Sequence, residues 1–335
     1  MSGGVDSSVA AALLVQAGYD CAGVSMELLG KCEDAEVVCS QLHIPHFSLD
    51  LHEEFTQRVI EPFATGYASG STPNPCISCN RHLKFGLLLQ WANQEGFDSL
   101  ATGHYARILD GRLLRAKDRE KDQSYVLYAL SEEQLRMLRF PLGEFSKDEV
   151  RQLALDMGLA SANKPESQDI CFIPEGDYAS FIEDYLQQNA PEKLPGPGNI
   201  IAVDGTVVGT HGGIHHFTIG QRRGLGVVGA EPYYVKDINA DSASVFISTN
   251  EERGGHTALI NEVNIISPGT LTDGQSLTAK HRYRGREHPA KFFLQSDNTI
   301  KIVFEDMQPD LTKGQALVLY DEDCVLGGGT IVGTL

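Results

Sequence analysis

The sequence changes character once, and that change limits the folds open to it. Up to about residue 190, segments with helical spacing alternate with short apolar runs; beyond the breaker-rich stretch Pro191-Glu192-Lys193-Leu194-Pro195-Gly196-Pro197-Gly198 the pattern is one of strands and turns. In the first part the spacing predicts a helix over 7–18, a strand over 20–29 and a short helix over 34–42. A strand over 46–51, a helix from about 53, another over 85–93 and a strand over 99–104 follow. Helices alternating with short strands imply α/β architecture with a parallel sheet. Ser146-Lys147-Asp148-Glu149 is a capping-box pattern opening a helix to about 157, and residues 177–188 place Tyr178, Phe181, Ile182 and Tyr185 on one helical face. In the second part Asp204-Gly205 between alternating runs signals a hairpin, and strand patterns at 244–247, 291–294, 300–304 and 316–320 predict one or two small β-barrels. The expected division is 1–175, 176–255 and 256–335.

A chain of 335 residues is long for one core, in keeping with two or three domains. No apolar run is long enough to span a bilayer, and the N-terminus shows no basic stretch ahead of an apolar one, so the cytoplasm is the expected location. With 45 acidic against 27 basic side chains the formal charge is −18, which excludes a general nucleic-acid binder; any RNA contact must be local. Seven cysteines are too few and scattered for a disulfide scaffold. Cys21, Cys32, Cys39 and Cys324 read as small buried hydrophobes. Cys76, Cys79 and Cys171 stand apart.

Ser2-Gly3-Gly4-Val5-Asp6-Ser7-Ser8 opens the first helix. Its glycines permit close approach of a phosphate, and backbone N–H groups and the helix N-terminus face it. The loop lacks the Gly-Lys-Ser/Thr ending whose lysine reaches terminal phosphates, which favours nucleotidyl over phosphoryl transfer. Asp6 would help hold Mg2+ on the phosphates. The plainer alternative is a serine-rich helix cap.

SGGVDSS resembles the pyrophosphate loop (PP-loop) of ATP pyrophosphatases, which amidotransferase-type synthetases share. Further motifs are Thr72-Pro73-Asn74-Pro75-Cys76-Ile77-Ser78-Cys79-Asn80-Arg81-His82-Leu83-Lys84-Phe85, Ala101-Thr102-Gly103-His104-Tyr105, Lys121-Asp122-Gln123-Ser124-Tyr125 and Ser167-Gln168-Asp169-Ile170-Cys171-Phe172. Together, and in this order, they resemble the bacterial tRNA-specific 2-thiouridylase family from Ser2 to Gly327-Gly328-Gly329-Thr330. The resemblance implies an adenine-nucleotide alpha-hydrolase-like PP-loop domain followed by small central and C-terminal β-barrel domains. It also implies ATP with Mg2+, tRNA as substrate, and a cysteine desulfurase or sulfur-relay protein as persulfide donor. Cys171 would carry the persulfide and Cys79 would be its partner, the two joining transiently in a disulfide. Ser2, Gly3, Gly4, Val5, Asp6, Ser7, Ser8, Met26 and Gly103 would bind ATP. Asn74, Pro75, Cys76, His104, Lys121, Asp122, Gln123, Arg282, Tyr283 and Gln315 would meet the tRNA. The chemistry is coherent: a uracil C2 oxygen leaves poorly alone but well as part of AMP, and a persulfide is a readily ionised nucleophile.

At Cys76 some family members have aspartate, suggested as a proton-handling group; this chain departs from that pattern, and Cys76 is expected as an auxiliary catalytic residue. With Cys79 it makes a Cys-x-x-Cys pair, and Cys171 adds a third thiolate. Three thiolates invite an iron–sulfur cluster with one open iron, or zinc, as the alternative to a persulfide relay. Pro73 and Pro75 lead us to expect a rigid exposed loop here.

His281-Arg282-Tyr283-Arg284-Gly285-Arg286 is the strongest basic run, suited to phosphate contact and base stacking or else a solvated strand face. Gln221-Arg222-Arg223-Gly224-Leu225-Gly226 is assigned to tRNA contact or barrel structure. His43, His46 and His52 fall in different elements and make no metal site. Gly327 to Gly329 fit close strand packing rather than a phosphate cradle. A PP-loop normally follows a buried strand, yet here Met1 adjoins it; the expectation is that the natural protein carries roughly ten further residues including a short apolar strand. Weakly paired edges near Val24 and Ala101 would then be seen.

Overall fold

The computed structural model describes residues 1–165, 170–173, 176–250, 254–267, 269, 271–295 and 299–334. Ser167, Gln168 and Asp169 of the last cysteine motif lie outside them. The first part runs α1 (Val5–Gln16), β1 (Gly23–Glu27), α2 (Glu33–Leu42), β2 (His46–Asp50), α3 (His52–Phe55), α4 (Glu61–Ala68), α5 (Pro75–Ser78) and α6 (Leu88–Gln94). It continues with β3 (Leu100–Ala101), the hairpin β4 (Ala106–Leu109) and β5 (Arg112–Arg115), α7 (Glu132–Arg136), β6 (Leu138–Arg139), α8 (Lys147–Asp156) and α9 (Tyr178–Asn189).

β1 and β2 pair in parallel with Val24 beside Phe47, and β3 and β6 pair in parallel with Leu100 beside Leu138. They are separate two-stranded sheets, and among the described residues neither β1 nor β3 has a strand partner on its other edge. Met1 reaches into this space: its amino group donates to the Val24 carbonyl, and Ser25 Oγ donates to the Met1 carbonyl at 2.8 Å. The strand expected over 99–104 is accordingly two residues long, since a strand held on one side keeps few ladder bonds. α1 buries Val5, Val9, Ala10 and Ala12 against Val150 and Ala154 of α8. The predicted capping box of α8 is formed, with Glu149 N–H donating to Ser146 Oγ at 3.3 Å and Ser146 N–H to Glu149 Oε2 at 2.7 Å.

The second part opens with β7 (Gly198–Ala202), β8 (Val207–His211), β9 (Tyr234–Asn239) and β10 (Ser244–Ser248), in sheet order β8-β7-β10-β9. Asp204 Oδ1 accepts the Thr206 N–H at 2.9 Å and fixes the predicted β7–β8 turn. β11 (Gly255–Ile265), β12 (Ser276–Lys280), β13 (His288–Leu294), β14 (Ile300–Gln308), β15 (Ala316–Asp321) and β16 (Cys324–Thr334) form a barrel in order β11-β14-β13-β12-β15-β16 that β11–β16 pairing closes. A side chain on Gly328 would come within 2.5 Å of the Leu317 carbonyl, so the glycine triplet lets these strands pack closely. Cys324 pairs with Leu114 of β5, so the first hairpin extends the barrel sheet.

Candidate functional site

One cavity of about 750 Å³ runs from the Ser2–Ser7 loop past β1 and β3 to Cys76, Cys79 and Cys171. At the loop, Gly3 adopts φ +70°, and a Cβ there would strike Asp34 at 2.4 Å, so only glycine fits. Gly4 is the N-cap of α1 and no side chain caps the helix start, which leaves its first N–H groups for an anion. Ser7 and Ser8 donate their hydroxyls to the Gly4 carbonyl at 3.1 and 2.8 Å and fix the turn. Gly103 lies against this backbone: a Cβ would meet the Asp6 carbonyl carbon at 2.7 Å. Met26 and Gly103 both line the cavity, as does His104.

Asp6 is held from two sides. Lys147 Nζ reaches its two oxygens at 2.7 and 2.8 Å, and Tyr105 donates its hydroxyl to Oδ1 at 2.9 Å. Lys164 donates to the Gly3 carbonyl at 3.2 Å and pairs with Asp34. Lys84 lines the cavity nearer the cysteines. Our reading of the sequence missed these three lysines as site residues. Lys147 was visible only as the residue after a helix cap, and no local spacing links it to a loop 141 positions away.

The expected rigid loop around Cys76 is instead helical. Asn74 Oδ1 accepts the Cys76 N–H at 3.0 Å and Pro75 takes the first helical position, a pairing that starts helices. α5 then passes into a π-helical stretch, Cys79–Leu87, a rare conformation that is frequent at functional sites. Cys79 is therefore buried, whereas Cys76 and Cys171 are exposed to the cavity. Burial pushes the Cys79 thiol up to about 11, against the charge of Lys84, which pulls it down. Loss of solvent likewise raises Cys76 and Cys171, with Lys84 again opposing. All are free thiols, and their sulfurs do not converge as a trio within 4.8 Å, the spacing of a mononuclear metal site. Among the other four cysteines only Cys39 is buried. Cys21, in the α1–β1 connection, and Cys32 and Cys324, at the starts of α2 and β16, are half-exposed, correcting the expectation for them.

The residues expected to meet tRNA divide. His104 is buried against Phe85 and Phe140, with ring centroids at 5.7 and 6.0 Å, and burial holds it well below the usual histidine range. Asp122 is buried in its own turn, accepting the Ala116 N–H at 2.9 Å, while Gln123 accepts the Tyr105 N–H at 2.9 Å and reaches the cavity. Lys121 precedes them, partly buried. Arg282 pairs with Asp310 at 3.2 Å and, with Gln221, Arg223 and Gln315, lines a second cavity of about 580 Å³. Gln315 donates to the Thr72 carbonyl at 2.6 Å, which ties the barrel to the segment leading to Asn74, and Tyr283 lies near Tyr125.

Residues 1–175 match the family model described as tRNA methyl transferase HUP domain. Residues 183–249 match the tRNA methyl transferase PRC-barrel domain, and residues 256–331 the aminomethyltransferase beta-barrel domain. The chain is 42% identical over 356 residues to the tRNA-specific 2-thiouridylase MnmA of Clostridioides difficile, covering all of this chain and 97% of that one. It is 44% identical over 345 residues to the protein of the same name from Trichlorobacter lovleyi, covering 99% and 96%. A third such protein, from Picosynechococcus, is 44% identical over 347 residues with the same coverage.

Proposed function

Because this chain belongs to the tRNA-specific 2-thiouridylase (MnmA) family, we propose that it replaces the C2 oxygen of the tRNA wobble uridine with sulfur in an ATP-dependent reaction. The observation that carries this reading is a single cavity holding both an anion-binding loop and three cysteines. The uridine oxygen attacks the α-phosphorus of ATP, and pyrophosphate leaves against the start of α1, Lys147 and Lys164. The terminal sulfur of a persulfide on Cys171 attacks C2 and AMP departs with the oxygen. Cys79 then attacks the Cys171 sulfur, releasing 2-thiouridine and leaving a Cys79–Cys171 disulfide for a cellular thiol to reduce.

Ser2 to Ser8 hold the phosphates, and Met26 and Gly103 flank the adenosine. Asp6 is the loop carboxylate that would meet Mg2+ arriving with ATP; as placed, it is neutralised by Lys147 and so first orients that lysine. Asn74, Pro75, Cys76, His104, Lys121, Asp122, Gln123, Arg282, Tyr283 and Gln315 form or support the tRNA surface. The persulfide comes from a cysteine desulfurase or relay protein. A tRNA substrate supports a cytoplasmic reading, and no described helix is long and apolar enough to cross a membrane. The working division is 1–175 for ATP and sulfur chemistry, with 176–255 and 256–335 for tRNA. A second reading rests on Cys76: with Cys79 and Cys171 it supplies three thiolates, the donor set for an iron–sulfur cluster with an open iron, which would supply sulfide activation.

The test is incubation of tRNA lacking the modification with the protein, ATP, Mg2+ and a persulfide donor, followed by nucleoside mass spectrometry. AMP, pyrophosphate and 2-thiouridine in equal amounts are expected. A methylated nucleoside, or ATP turnover independent of tRNA, would overturn the reading.

A further inference from the structure

Away from the cysteine cavity, Glu183, His215 and His216 point their polar atoms at one spot. Glu183 lies on α9, and the two histidines occupy a single 3-10 turn, Ile214–His216, that follows β8. The Nε2 atoms of His215 and His216 lie 3.0 and 3.1 Å from the same oxygen, Glu183 Oε1. The donor atoms of all three are within 4.8 Å of one another, and no other such trio of His, Cys, Asp and Glu donors occurs among the described residues. We propose that these residues form a binding site for a zinc-class divalent cation, separate from the ATP and sulfur chemistry.

Two nitrogens and one carboxylate oxygen are a donor set suited to zinc, and bonds of about 2.0–2.1 Å in a tetrahedron set neighbouring ligand atoms about 3.3 Å apart. The two histidine–glutamate separations need change by only a few tenths of an ångström, and all three donor atoms already lie within 4.8 Å of one another. The histidines are held for this. Their rings lie 4.3 Å apart between centroids, and Gly213 leaves the His215 ring its space, since a Cβ there would come within 2.3 Å of it. The His215 side chain is 2% exposed while His216 and Glu183 are 39% and 43% exposed, so an ion enters from solvent and finds a fourth, open position for water. Its structural effect follows from what α9 carries. Phe181, on that helix, packs with its ring tilted against Phe172 at 5.2 Å between centroids, and Phe172 directly follows Cys171. A metal at Glu183 would fasten α9, and with it the core behind Cys171, to the central sheet.

Titration of the full chain with Co2+, read by absorbance, tests this, because thiolate ligands give charge-transfer bands that nitrogen and oxygen ligands do not. We expect one cobalt per chain without thiolate bands, retained when Cys76, Cys79 and Cys171 are together changed to serine. Loss of residues that only support a metal's ligands costs about 10–100-fold in affinity, so loss of a ligand itself in His216→Ala should weaken binding at least about 100-fold. Glu183→Gln, which keeps the shape and changes only the donor, should do the same and should abolish any zinc-induced rise in melting temperature. Binding lost in the cysteine variant, or unchanged in both His216→Ala and Glu183→Gln, would overturn the proposal.

Discussion

The Lys147 ammonium sits 2.7 and 2.8 Å from the two carboxylate oxygens of Asp6, joining the first turn of α8 to the first turn of α1, where the phosphate loop enters the helix. Lys147 is 8% exposed and Asp6 32%, so the lysine is buried while the carboxylate opens to the cavity. The lysine thus holds the loop carboxylate in place beside the anion-binding start of α1.

Lys147→Met should lower stability by roughly 1–3 kcal/mol, since hydrogen bonds to charged groups are in that range and Tyr105 still donates to Asp6. Pyrophosphate release in the presence of tRNA should fall far more steeply than stability. A lowered melting temperature with unchanged pyrophosphate release would assign Lys147 to the fold alone.

Cys171→Ser and Cys79→Ser should each abolish 2-thiouridine while leaving AMP formation measurable, because activation and sulfur delivery use different groups. Cys76→Ser separates the two readings of the cysteines. A relay through Cys171 and Cys79 survives it, whereas a three-thiolate cluster loses a ligand. Iron content and product yield, measured on the same variant, decide between them.

Lys84 opposes the effect of burial at all three thiols. Lys84→Met should therefore slow alkylation of Cys171 and Cys79 by iodoacetamide near pH 8 and shift its rise to higher pH. A raised thiol pKa means the unfolded chain releases its proton first. The contribution of Cys79 is complete below the free-thiol value of about 8.5 and is lost as pH rises towards its folded value of about 11. Unfolding by urea at pH 8, 9.5 and 11 should show that decline and show it reduced in Cys79→Ser.

Arg282→Ala should weaken tRNA binding without changing ATP binding. The chain carries a formal charge of −18 and must hold RNA through local cations. The variant should also show a shallower dependence of affinity on salt concentration, and an unchanged slope would remove Arg282 from the phosphate contacts.

Local patterns were legible in the sequence where chemistry and conformation coincide within a few residues. Ser146 and Glu149 announced the start of α8, and Asp204-Gly205 the β7–β8 turn. Asn74-Pro75 carried an equally good helix-start signal, but two prolines in three positions read as a loop, so the burial of Cys79 went unseen. Contacts across long separations left no such trace. Lys164 meets Gly3 from 161 positions away, and His215 meets Glu183 only because α9 folds back on the turn after β8. Polar residues read as ligand contacts, such as Asp122, proved bound to backbone N–H groups a few residues off, a commitment that composition does not reveal.

The unpartnered edges of β1 and β3 yield the last prediction. Ala10 and Leu14 of α1, Val24 of β1 and Leu100 of β3 line the cavity between those edges, so the space is apolar and flanked by unused backbone donors and acceptors. Met1 already pairs there with Val24 and Ser25. Burial of its amino group lowers the pKa to about 6, below the ordinary value of 8.0. Between these values the unfolded chain binds more protons than the folded one, so this group makes stability rise as pH increases from about 6 to 8. A chain carrying about five apolar, β-branched residues ahead of Met1, a typical strand length, should place a strand between β1 and β3 and replace the buried amine by a peptide. Each large apolar side chain buried gives about 1.5–3 kcal/mol, against about 1–2 kcal/mol to order each backbone residue. A net gain of a few kcal/mol is expected, seen as a melting temperature several degrees higher. The rise in stability from pH 6 to 8 should also flatten. A serine- and glycine-rich extension of equal length removes the amine without filling the space, so it should flatten the pH dependence and leave the melting temperature nearly unchanged. Equal melting temperatures for the two extended chains would show that the edges do not take up a strand.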